Sequence, residues 1–211
     1  MNMPPKKQVY QFKITLQDIK PPIWRRIQVP STYTFWDLHV AIQDAMGWQD
    51  YHLHEFHIKD LNGKKLIVGI PMDEEDFMDQ FMDIPVVLHE WKHKVSTLIS
   101  ITDPTFKYVY DFGDDWHHTI KLEKVLPAEE GVSYPRCIGG KRNSPPEDCG
   151  GPPGYENMLA VLADPEDPEY ESTREWIDSM KDGSFNPEQF NPSEVMFDDP
   201  KERFKRAFKG E

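Results

Sequence analysis

The residues best equipped for chemistry lie between Tyr108 and Ile120, in YVYDFGDDWHHTI, where three carboxylates, two imidazoles and four aromatic rings surround one glycine. Clustered carboxylates push one another's pKa values apart, which makes Asp111, Asp114 and the imidazole of His118 candidates for general acid and base work. The same aspartates serve a turn equally well, by accepting backbone N–H bonds two residues on. A second set, His52, His54 and His57, has the spacing H-x-H-x-x-H. On a strand His52 and His54 share a face and His57 points away, so two imidazoles plus Asp114 or His118 would give a three-ligand site for a divalent metal. The spacing alone does not require a metal, because imidazoles at strand ends also bond to carboxylates. Cys137 and Cys149, with eleven residues between them, are either soft ligands for zinc beside His117 or His118, or thiols that simply pack. Glu147 and Asp148 precede Cys149-Gly150-Gly151 and are either a ligand-binding pair or a helix-leading cap.

These groups need a frame. Strict alternation across 108–120 would place rings, a carboxylate and an imidazole on one face, which an ordinary core strand avoids. A turn at Phe112-Gly113-Asp114-Asp115 resolves the conflict, giving strands FKYVYD and WHHTIKLEKV with the acids at the tip. Val9–Ile19 alternates as VYQFKITLQDI, and Pro21-Pro22 turns it into IWRRIQV, which ends at Pro30. Thr34 and Asp37 have capping-box spacing ahead of Phe35, Leu38, Ile42 and Met46, so a helix is predicted over about 35–46 and ends at Gly47. HLHEFHIKD leads through Asn62-Gly63 into KKLIV as a second hairpin. The acidic stretch 71–84 has no clean period and is expected to be an insertion or an irregular helix, with a short helix over His89–Ile99 after it.

Pro127–Gly154 concentrates Pro and Gly and reads as a long loop. Helices are expected over Tyr155–Ala163 and Ser172–Met180, the second with a Ser172/Glu175 capping box and a stop at Gly183. FNPEQFNPSEVMF reads as an extended segment with its phenylalanines anchored on the domain. The final KERFKRAFKGE is a basic helix with Phe204 and Phe208 at i,i+4, either a docked cap or a partner-binding element. The fold class is α+β: one domain over 1–211, with a curved antiparallel sheet of hairpins in a core of about 8–126, one packed helix, the loop 127–154 and a helical part over 155–211.

YDFGDDWHH, with HLHEF at 52–56 and PPEDCGGPPGY at 145–155, resembles the plasmid pRiA open-reading-frame-three-like family, in that family's motif order from Val9 to Phe197. Members are often labelled transposon-resolvase passengers, so the resemblance implies a link to mobile elements. The chemistry of a serine recombinase requires arginines clamping a phosphate and a basic DNA-binding module, and no such pattern occurs here. Walker and dinucleotide fingerprints are absent as well.

The formal net charge of −13 repels phosphate backbones and argues against nucleic acid as a partner. Residues 1–30 nevertheless carry six bases against Asp18 alone, which would suit a local basic face or solvated edge-strand positions. No run approaches the roughly 18 apolar residues a membrane span needs, and two cysteines without a secretion signal fit a reducing cytoplasm. The leading functional expectation is a binding module gripping a protein or small-molecule ligand with Tyr110, Asp114, Trp116, His118, Glu147 and Asp148. The alternatives are a metal-dependent hydrolase acting on a phosphoester, with a metal among His52, His54, Asp114 and His118, and a nucleic-acid accessory protein.

Overall fold

The computed structural model describes residues 7–59, 63–71, 87–180 and 185–209. The insertion expected over 71–84, the Asn62 turn position and the Gly183 stop fall wholly or mostly outside them. β1 (Gln8–Leu16) and β2 (Trp24–Pro30) form the N-terminal hairpin, followed by α1 (Phe35–Met46). The cap of α1 is the one its sequence encodes: Thr34 and Asp37 bond each other's backbone N–H, and Gly47 closes the helix at φ 73°. β3 (His54–Lys59) and β4 (Lys65–Gly69) pair next, and β5 (Val87–His89) adds in parallel to β4.

The helix expected over His89–Ile99 shrinks to one turn, α2 (Val95–Leu98), because Val87–His89 is spent on the sheet and the Glu90 carbonyl accepts the N–H of Phe35. β6 (Thr105–Tyr110) and β7 (Trp116–Pro127) form the long hairpin, and β8 (Arg136–Lys141) is carved out of the Pro/Gly loop as an edge strand. α3 (Gly151–Ala163), α4 (Tyr170–Met180) and α5 (Pro200–Lys209) complete the chain. α4 begins two residues early: Glu169 already offers its carbonyl to Thr173 N–H, so Ser172 lies inside the first turn and bonds Glu169 instead of capping.

The eight strands form one sheet in the order β5-β4-β3-β6-β7-β1-β2-β8, antiparallel except for β4–β5. The fold is therefore α+β. Alternation decides which face is covered. Phe12, Ile14, Phe56, Phe106, Tyr108 and Ile120 point inward and are buried, and Phe35 of α1 packs edge-on against Phe56 and Phe106 at 5.1 and 6.3 Å. α5 is a docked cap. Phe204 and Phe208 pack on Trp36 and Trp91, Trp36 Nε1 donates to the Pro200 carbonyl at 2.8 Å, and Arg203 reaches Asp44 at 2.6 Å. Phe190 lies over the guanidinium of the buried Arg25 at 3.7 Å, so the Phe-Asn-Pro segment is anchored by its ring.

Candidate functional site

The β6–β7 register pairs Tyr110 with Trp116 and leaves Asp111–Asp115 as the turn. Asp111 takes φ 57°, donates its N–H to the Leu53 carbonyl at 2.9 Å, and accepts Gly113 N–H on Oδ1 at 2.9 Å. With Oδ1 occupied by the turn, Oδ2 is left to face His52 Nε2 at 3.6 Å. Asp148, also at positive φ, brings Oδ1 to 3.0 Å from the same nitrogen. Nε2 of His52 is shielded from solvent yet makes no hydrogen bond, so the three groups approach without the alignment that a bond requires. One ligand atom from each lies within 4.8 Å of the others. Asp50, Asp111, Asp115 and Asp148 make up four of the six non-glycine residues at positive φ among the described residues. Such backbone persists where its surroundings over-determine it, and it concentrates at ligand sites.

The surroundings here are dense with bonds. Glu147 accepts the Tyr110 hydroxyl on Oε1 and Gln49 N–H on Oε2, the latter at 2.9 Å. Trp48 Nε1 donates to the Pro145 carbonyl at 2.9 Å, and Gly150 N–H donates to Asp114 Oδ2 at 3.2 Å. Gly151 is confined to glycine twice over, by φ 67° and by the Asp114 carbonyl oxygen, which would lie 2.3 Å from any Cβ. The hairpin tip and the 145–155 loop therefore meet. Asp115 pairs with His117 at 2.9 Å.

Tyr110, Trp116 and His118 are buried beneath this junction, so they support it and do not grip a ligand at the surface. Trp48 stacks on Tyr110 at 5.1 Å and lies 6.0 Å from Trp116. Burial lowers the pKa of His118 to about 3, which holds the ring neutral; its Nδ1 lies 3.1 Å from the Trp116 carbonyl, and its Nε2 has no partner. Burial also raises the Tyr110 hydroxyl pKa, with the Glu147 contact adding to it. The exposed side chains around the junction are ones the sequence reading passed over: Tyr51, Leu53 and Phe112 are 71, 53 and 51 % exposed. Their signal was adjacency, since each neighbours a ligand candidate.

The histidines expected to converge are divided between two places. His54 lies inside the fold, stacked on His39 with centroids 3.4 Å apart and planes 3° from parallel. His54 Nε2 meets Glu90 at 2.7 Å, and His39 bridges Asp50 and the Tyr108 hydroxyl, each at 2.8 Å. His39, Asp50 and His54 form the other close group of potential ligands among the described residues. Parallel rings, however, cannot aim two in-plane lone pairs at one ion. Burial, then the neighbouring His54, lowers the pKa of His39. Burial works to raise that of Asp50, but the His39 bond and nearby positive charge outweigh it and the net direction is down. His118 joins neither group, and neither does a cysteine: Cys137 Sγ points at the Gly139 carbonyl at 3.5 Å, and Cys137 and Cys149 form no disulfide.

No helix among the described residues is long and apolar enough to cross a membrane. The chain is 37 % identical over 174 residues to the uncharacterized protein y4hQ of Sinorhizobium fredii, with 81 % of each chain covered. It is also similar to a crystal structure of MM3350, a protein of unknown function from Methanosarcina mazei Go1. That likeness has a TM-score of 0.80 and 44 % identity, and covers 91 % of this chain and 99 % of the other. The profile of the plasmid pRiA4b ORF-3-like proteins matches residues 8–194, a span that contains all three segments meeting at the junction, and the chain belongs to that family.

Proposed function

We propose that this protein is a binding module that holds its ligand at the junction of the three motif segments, through a divalent cation on His52 Nε2, Asp111 Oδ2 and Asp148 Oδ1. The observation that carries this reading is the approach of those three atoms to within 4.8 Å with the His52 nitrogen buried and unbonded. One imidazole and two carboxylates suit zinc or manganese and leave coordination positions open toward solvent. Tyr51, Leu53 and Phe112 give the site an apolar rim on which a protein or small-molecule ligand would rest.

Binding is favoured over hydrolysis by how the neighbouring groups are used. Glu147 and Asp114 accept structural bonds, Asp115 pairs with His117, and His118 is neutral and sealed. No uncommitted general base stands beside the three ligands among the described residues. The test is metal analysis of the purified protein, with calorimetric titration of zinc and manganese into chelator-treated protein. One equivalent is expected, and it should disappear in His52→Ala and Asp148→Asn while the melting curve of the metal-free protein stays put. Failure of both metals to bind at micromolar concentration would defeat the reading.

A further inference from the structure

The outward face of the sheet carries a second feature, independent of the cation junction. Lys65, Lys59, Lys107, Lys121, Lys13 and Arg26 occupy outward positions on six successive strands, β4-β3-β6-β7-β1-β2. The register sets bases directly opposite one another: Lys59 faces Lys65, and Lys13 faces Lys121 on one side and Arg26 on the other. Like charges opposed across strands are destabilising, and β6, β7 and β1 are central strands where lysine has no edge-protecting task. Arg26 is neutralised by Glu123 at 2.7 Å, but Lys59, Lys65, Lys107 and Lys121 form no ion pair with any described residue. A chain of net charge −13 thus concentrates unpaired cations on one face.

Between β4 and β7 this face holds a trough of about 480 Å³ whose wall carries Lys59, Lys65 and Lys107 against the single carboxylate Asp103, with His57 and Ile67 beside them. We propose that the outward face of the sheet binds a single strand of nucleic acid, with phosphates along the lysine stripe and a base in the trough against His57 and Ile67. Charge complementarity supplies the attraction. Five inter-strand steps span about 24 Å, the length of roughly seven nucleotides at a rise of about 3.4 Å. The trough selects the occupant. A duplex keeps its bases stacked inside and offers nothing to a pocket on a flat sheet, whereas unpaired bases splay onto such a surface. An anionic membrane would use the lysines but not the trough.

The test is fluorescence anisotropy of labelled dodecamers of deoxythymidine and of uridine, titrated with the full chain from 50 to 200 mM salt. Micromolar binding is expected at the low end, with log K falling against log salt at a slope of about −3 to −4, for four to six phosphates at about 0.7 each. The double variant Lys107→Ser/Lys121→Ser should melt like the parent and lose about 1.4 from that slope. Absence of binding at low salt, binding unchanged by the double variant, tighter binding to a duplex of equal length, or lysine-dependent binding to phosphatidylserine vesicles without binding to either dodecamer would each overturn the proposal.

Discussion

Lowering the pH from 7 to 5 should destabilise this protein through His118, and the size of the effect follows from its burial. In the unfolded chain the imidazole titrates near its ordinary value of 6.5; in the fold it titrates at about 3. The folded-state value is depressed, so the unfolded state binds the proton first. The stability His118 allows is fully present above pH 6.5 and is lost progressively as pH falls from there toward 3. Integrating between pH 7 and 5 gives a loss of about 2 kcal/mol for this one group. Burial dominates: the ring is enclosed by Trp48, Tyr108 and the backbone of its own strand, and this loss of solvent outweighs the backbone groups of Tyr108 and Trp116 that favour the charged form. The assay is urea unfolding of the parent and of His118→Asn at both pH values. At pH 7 the variant should be less stable by about 1 to 3 kcal/mol, through the bond to the Trp116 carbonyl and imperfect filling. Its further loss at pH 5 should be smaller than the parent's by about 2 kcal/mol. His39 is depressed in the same direction and titrates in both proteins, so it cancels in the difference. An equal loss in parent and variant would refute the reasoning. Loss of bound metal in the variant would show that His118 has a ligand role which its burial argues against.

Two further outcomes follow from the packing around the site. Trp116→Ala removes a ring that is 1 % exposed beside Trp48, and a loss of about 3 to 5 kcal/mol is expected in a denaturant melt; an unchanged midpoint with a lost ligand would make Trp116 a recognition residue. Gly151→Ala places a Cβ against the Asp114 carbonyl, so it should lower the melting temperature and, by parting Asp148 from the turn, weaken cation binding; parental melting and metal affinity in this variant would show that the two loops are not held in this way.

Local rules settled much of this fold from the chain alone. The Thr34/Asp37 cap, the αL glycine at 47, the Pro21-Pro22 break and the Gly113 turn each depend on residues within a few positions of one another, so their physics is present in a short window. The gathering of acids at the hairpin tip was legible for the same reason: side-chain types and spacing are sequence properties. The partners were not. His52 and His54 stand two residues apart, and period two put them on one face, yet His54 opens β3 and turns into the core while His52 lies before the strand and faces Asp148, far along the chain. Only tertiary structure could decide that division, because it depends on where the 145–155 loop docks. Burial reassigned Tyr110, Trp116 and His118 from a gripping surface to the packing beneath it, since periodicity names a face but not what covers it. The cationic stripe is the extreme case: its members are spread from Lys13 to Lys121 among acids, and they become one surface only when the strand order β4-β3-β6-β7-β1-β2 sets them side by side. Net charge is a sum over the chain, whereas binding depends on where in space the charges lie.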